Sequence, residues 1–201
     1  PSAYRLELAP SLSAHTFTGT AEIDVEILKP TSRLVLNSIE LTIHSASVVI
    51  NGTTHTAVTT LDDETERLTL TLDGEVAAGP ATVQVAFDGI LNDQLHGFYR
   101  STYTADDGTE HTIATTQFQS TDARRCFPCW DEPEYKATFE TTLIVDADHL
   151  AVTNTSEVAE TNLDDGRRRI QYAPTMVMST YLVAFVVGPL EATEPIHAGG
   201  V

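Results

Sequence analysis

Lysine is nearly missing from this 201-residue chain: Lys29 and Lys136 are the only two. All basic residues together number 11 against 29 acidic ones, a net charge of −18. A surface of that sign repels phosphate backbones and anionic membranes, which argues against nucleic-acid binding. It attracts cationic partners and keeps a domain in solution. Long apolar runs are missing too. The longest, Tyr181–Val187, has the length of a strand, far short of the ~20 residues of a membrane span. No leader pattern precedes Tyr4, which favours a soluble, cytoplasmic chain, although the acid-rich, lysine-poor composition also fits a salty or extracellular setting.

Cysteine is reduced to Cys126 and Cys129. Their C-x-x-C spacing lacks the βαβ surroundings of a redox motif and the second ligand pair of a zinc site. A disulfide between them would be tight and strained, so free thiols are expected. The catalytic signatures H-E-x-x-H, G-x-S-x-G, P-loop and G-x-G-x-x-G are all absent. His15, His44, His55, His96, His111, His149 and His197 are scattered without ligand spacing. The chain therefore offers no catalytic residue and no metal ligand. If it belongs to an enzyme, the reacting centre lies elsewhere.

What is present is alternation. Ala21, Ile23, Val25 and Ile27 interleave with Glu22, Asp24 and Glu26, the period of a strand with one face buried. The same reading covers Tyr4-Leu6-Leu8, Ile39-Leu41-Ile43, Leu68-Leu70-Leu72, Val83-Val85-Phe87, Phe139–Val145, Leu150–Val152 and Arg169–Tyr172. Turn residues punctuate it at Lys29-Pro30, Asn51-Gly52, Asp73-Gly74, Gly79-Pro80, Asp88-Gly89, Asp107-Gly108 and Asp165-Gly166. Turns at this spacing predict an all-β sandwich with antiparallel or mixed sheets and little helix. One short helical turn is expected at Asp122–Arg125. Asn51-Gly-Thr53 and Asn154-Thr-Ser156 fit the N-glycosylation pattern, of consequence only in a secreted eukaryotic chain.

One segment, residues 116–133, breaks the monotony: TQFQSTDARRCFPCWDEP, followed by the strand that opens Lys136-Ala137-Thr138-Phe139. This run closely resembles the N-terminal domain of the M1 family of zinc aminopeptidases, the gluzincin group. Tyr4–Leu8, Phe17–Thr20 before the Glu22–Glu26 strand, Gly97-Phe98-Tyr99-Arg100-Ser101 and Met178–Phe185 resemble further elements of that domain, in order.

The resemblance implies a saddle-shaped β-sandwich spanning residues 1–195. Residues 196–201 would begin the connection to a catalytic domain outside this chain. That domain would hold zinc and hydrolyse N-terminal residues from peptides, so this chain alone should be inactive. Its expected partners are that domain and peptide N-termini. By position, Gln119 corresponds to the residue that helps hold the substrate's free amine, and Gln117 to one lining the pocket for the first side chain. A side-chain carbonyl oxygen suits an ammonium donor. The family's habit also implies a cis peptide at Gln119–Ser120. Asp122, Arg124, Arg125, Asp131 and Glu132 are read as ties that hold the loop. Phe127 and Trp130 are read as plugs beneath it. Two other readings share the fold: a non-catalytic scaffold module and an epoxide-hydrolysing branch. A free-standing adhesion sandwich is a third, which the residue 116–133 match disfavours.

Overall fold

A computed structural model describes residues 1–193. Seven strands fill the first half of the chain: β1 (Ala3–Ser11), β2 (Thr16–Ile27), β3 (Thr31–Asn37), β4 (Thr42–Ile50), β5 (Thr53–Asp62), β6 (Arg67–Val76) and β7 (Gly79–Ile90). Seven follow: β8 (Gly97–Thr104), β9 (Glu110–Gln117), β10 (Thr138–Asp146), β11 (Leu150–Thr153), β12 (Glu157–Asn162), β13 (Arg167–Tyr172) and β14 (Phe185–Gly188). The only helical pieces among the described residues are 3-10 turns at Ala123–Arg125, where one turn is expected, and at Thr180–Leu182. The second divides the apolar run at 181–187, of which only the last part is strand.

Ten strands form one sheet in the order β12-β13-β10-β1-β2-β7-β4-β5-β6-β3, and four form a second in the order β11-β14-β9-β8. The pairings are antiparallel except β1 with β10, where Tyr4 lies beside Phe139 in parallel register. The sandwich is therefore mixed, as expected. Alternation dictates which face is buried: along β1, Tyr4, Leu6 and Leu8 are 2% exposed or less, while Arg5 and Glu7 face outward.

An aromatic chain joins the two layers. Phe17 on β2 packs on Phe98 of β8 at 5.1 Å between ring centroids, and Phe98 meets Phe185 of β14 edge-on at 4.9 Å. Phe185 meets Phe118 at 6.2 Å, and Phe118 meets Phe127 at 5.9 Å. Phe127 touches Tyr4, which stacks on Phe139 at 4.8 Å. Such offset and edge-on pairs add ~0.5–1.5 kcal/mol each beyond the area they bury. The segment containing Phe118 and Phe127 thus lies between the layers.

Three local expectations are corrected. Ile39-Leu41-Ile43 is not one strand: β3 ends at Asn37, Glu40 takes a left-handed φ of 61°, and β4 starts at Thr42. The Ile39 N–H bonds the Arg124 carbonyl at 3.2 Å instead of a neighbouring strand. Asp88-Gly89 is no turn but lies inside β7, where Gly89 leaves room for the Phe17 ring packed against it. Asp73-Gly74 likewise lies inside β6, at a break in the register with β3. The Asn51-Gly52 hairpin forms as expected, with Ile50 opposite Thr53 and left-handed φ values of 51° and 77° at the two turn residues. The expected boundary at 195–196 lies outside the described residues.

Candidate functional site

Gln117 is the last residue of β9 and sits opposite Gly97 of β8. Gln119 follows two residues later. Phe118 between them is 1% exposed and anchored in the aromatic chain. Burial of the middle side chain forces its two neighbours outward, so Gln117 and Gln119 are both exposed. Neither amide side chain hydrogen-bonds to another described residue. The Gln119–Ser120 peptide is cis.

The turn that carries Gln119 is closed by the Asp122 N–H, which donates to the Phe118 carbonyl at 2.9 Å. Beyond it the two arginines point into protein. Arg124 is 8% exposed. Its Nε donates to Asp131 Oδ2 at 3.0 Å, one terminal nitrogen donates to Glu66 at 2.8 Å, and the other to the Asp131 carbonyl at 3.2 Å. Arg125 donates to Asp122 at 2.8 Å, to Glu40, and reaches Glu66 at 3.8 Å. Burial works against both guanidinium charges, but the hydrogen bonds and charges of these carboxylates outweigh it and hold both groups above the ordinary arginine range.

Asp131 is 1% exposed and fully engaged. Besides Arg124 it accepts from the Thr180 hydroxyl at 2.6 Å, and its backbone N–H donates to the Asn37 side chain at 3.1 Å. The Ser179 hydroxyl donates to the Pro133 carbonyl at 2.8 Å, and Ala137 bridges Met178. The three separate sequence segments around residues 97, 116–133 and 178–185 therefore meet at one place. Gly97, at a φ of 67°, lies against Arg125, where an added Cβ would come within 2.9 Å of the Arg125 side chain.

Most of the expected ties are present, with one exception. Glu132 is exposed and its side chain makes no bond to the described residues; only its carbonyl serves, accepting from Tyr135 N–H at 3.0 Å. Phe127 is fully buried and Trp130 partly so, its backbone N–H donating to the Tyr4 hydroxyl at 3.1 Å. Cys126 and Cys129 are unpaired and buried, and burial pushes both thiols well above their ordinary range. The sequence reading missed Glu66 and Glu40. They lie in connections with no periodicity, and nothing in their spacing links them to residues 116–133.

Among the described residues no cluster of three or more His, Cys, Asp or Glu side chains could hold a metal ion. No helix there is long and apolar enough to cross a membrane. The geometry is that of a braced loop presenting two amides with no side-chain hydrogen bond to the described residues.

Comparison with known proteins places this arrangement. Residues 1–182 match the Peptidase M1 N-terminal domain. The chain belongs to the M1 peptidase family. All of the M1 domain aligns with Aminopeptidase M1 of Arabidopsis thaliana at 40% identity, covering 23% of that protein. It aligns over its full length with the Puromycin-sensitive aminopeptidase of Caenorhabditis elegans at 41% identity, covering 22% of it. With the Alanine/arginine aminopeptidase of Saccharomyces cerevisiae the identity is 38%, over 96% of this chain and 23% of the relative. The M1 domain thus spans less than a quarter of the length of the curated relatives it matches.

Proposed function

We propose that this domain is the substrate-facing first part of a zinc aminopeptidase that removes N-terminal residues from peptides. Gln119 accepts a hydrogen bond from the substrate's α-ammonium group, and Gln117 lines the pocket for the first side chain. The observation that carries this reading is the pair of exposed, unbonded amides flanking buried Phe118, on a loop braced by two arginines, within the family match.

Among the described residues no donor set fits zinc, and in this reading the metal and the groups that activate water are supplied by a part of the protein beyond this domain. What the domain supplies is recognition. An amide oxygen is a neutral acceptor, and its bond to a cationic amine is weaker than a carboxylate's. The net charge of −18 adds a field that draws a cationic peptide terminus inward.

The test is Gln119→Ala in the full-length protein, assayed on an alanyl reporter with and without a zinc chelator. The expected loss in kcat/KM is roughly 1–3 kcal/mol, and the activity should be abolished by the chelator. An unchanged kcat/KM would refute the amine contact. Activity of this chain by itself would refute the placement of the reacting centre elsewhere.

A further inference from the structure

The loop that carries Gln119 does not hold itself. Its closing residue, Asp122, accepts from Arg125 Nε at 2.8 Å, and Arg125 is held in turn by Glu40 and Glu66. Glu66 is the shared element. One of its carboxylate oxygens accepts from Arg124 at 2.8 Å and the other faces Arg125 at 3.8 Å. Its backbone carbonyl accepts from the Ser38 N–H at 3.0 Å. Glu66 also has a left-handed φ of 54°, a conformation a non-glycine residue keeps only where its surroundings fix it. It lies in the β5–β6 connection, more than fifty residues from the loop in sequence.

The charges around the two guanidinium groups are Glu40, Glu66, Asp122 and Asp131. Asp131 is committed to Arg124, and Asp122 is on the Gln119 turn itself. Glu66 is therefore the carboxylate from outside the loop that touches both arginines: it hydrogen-bonds Arg124 and lies within ion-pair distance of Arg125.

We infer that Glu66 is a positioning residue for substrate binding: through Arg124, which it hydrogen-bonds, and the adjacent Arg125, which it faces and which holds Asp122, it fixes where the Gln119 amide stands. This rests on the amine-contact reading above. A binding group displaced by even about 1 Å loses much of its effect, so a remote carboxylate can govern affinity.

The experiment is a double-mutant cycle in the full-length enzyme with Glu66→Gln, Gln119→Ala and the combination, measuring KM and kcat on an alanyl reporter together with thermal stability. Glu66→Gln keeps the backbone bond to Ser38 and the side-chain volume but removes the charge. The expected result is a KM raised roughly three- to ten-fold with kcat nearly unchanged, and no further rise when Glu66→Gln is added to Gln119→Ala. Arg125→Lys, which keeps the charge and loses the fork, should raise KM in the same way and couple to Gln119 in the same way. It serves where Glu66→Gln fails to fold. Additive effects, or lower thermal stability with KM unchanged, would overturn the role of Glu66 while leaving the amine contact standing. A Gln119→Ala enzyme with unaltered KM would overturn both.

Discussion

Asp131 is the residue on which the braced loop should depend most for stability. Its carboxylate is 1% exposed and accepts three bonds: Arg124 Nε at 3.0 Å, the Arg124 N–H at 3.3 Å and the Thr180 hydroxyl at 2.6 Å. In Asp131→Ala the Arg124 guanidinium keeps only Glu66 as a charged partner and the Thr180 hydroxyl, itself 1% exposed, loses its acceptor. Removing one partner of a buried ion pair costs about 3–5 kcal/mol. Against a total stability of about 5–15 kcal/mol for a domain, that is roughly a fifth or more.

Asp131→Asn makes the comparison informative. The asparagine oxygen can still accept from Arg124 Nε, and its NH2 can donate to the Thr180 hydroxyl oxygen, which accepts as readily as it donates. Only the charge is lost, so the cost should fall to roughly 1–2 kcal/mol. Thermal unfolding followed by fluorescence of Trp130, the only tryptophan and the neighbour of Asp131, reads both. At about 2–4 °C per kcal/mol for a chain of this size, Asp131→Ala should lower the Tm by roughly 6–20 °C and Asp131→Asn by less than half of that. Equal shifts for the two variants, or a shift under about 2 °C for the alanine, would refute the reasoning.

Gly89→Ala places a Cβ into the Phe17 ring, which is 1% exposed and pinned by Phe98, so the Tm should drop by roughly 2–10 °C; a neutral result in the same assay would mean the aromatic chain is looser than its geometry. Burial, with the nearby Glu157 charge, pushes the Tyr172 phenol up to about 12, above the ordinary value of about 10. A raised pKa contributes stability that is complete below the unfolded value and lost as pH rises, here between about 10 and 12. A phenolate absorbance titration should therefore lag for Tyr172, as it should for Tyr4, whose burial also raises it, and the Tyr172→Phe chain should lose one of these late steps and keep the other; all six tyrosines titrating together near the ordinary value would contradict it. Cys126 and Cys129 should resist a thiol reagent in the folded chain and react once it is unfolded, and rapid labelling of the native protein would show that the loop opens.

The sandwich was legible because its period is. β1, β2 and β7 alternate cleanly, and the structure buries the same face that the pattern marks; β10 does so too except at Thr142, which is buried on the other face. What pattern could not supply is partner choice. β12 is exposed at all six positions and carries no alternation of burial to read; it is a strand only because β13 lies beside it. Asp88-Gly89 has the composition of a turn, but the glycine serves a ring seventy residues away in sequence. The same limit applies at the site. Residues 116–133 stood out by composition, and Gln117, Gln119 and the arginines by resemblance. Glu66 and Glu40 did not, because a carboxylate in a connection looks alike whether it is solvated or braces a distant guanidinium group.

The lysine deficit reads differently once the arginines are placed. Arg5 forks onto Asp24 with two bonds of 2.8 Å and also reaches Glu22, across β1 and β2. Arg169 reaches Glu7 at 2.8 Å, past the intervening β10, and Arg168 reaches Glu160 on β12 at 2.9 Å. Arg100, Arg124, Arg125 and Arg167 are paired as well, so seven arginines bridge to carboxylates among the described residues. A planar group with several fixed donors can bridge two carboxylates at once, which a single ammonium does poorly. In a chain with so large an acidic excess, seven of the eleven cations are therefore used as cross-strand or loop ties, and all seven are arginines. Arginine is the residue that can serve that purpose. This is why Arg125→Lys should raise KM despite conserving charge. The Gln119 turn is held by the direction of the Arg125 donors toward Asp122, Glu40 and Glu66, and a lysine restores the charge without the directions.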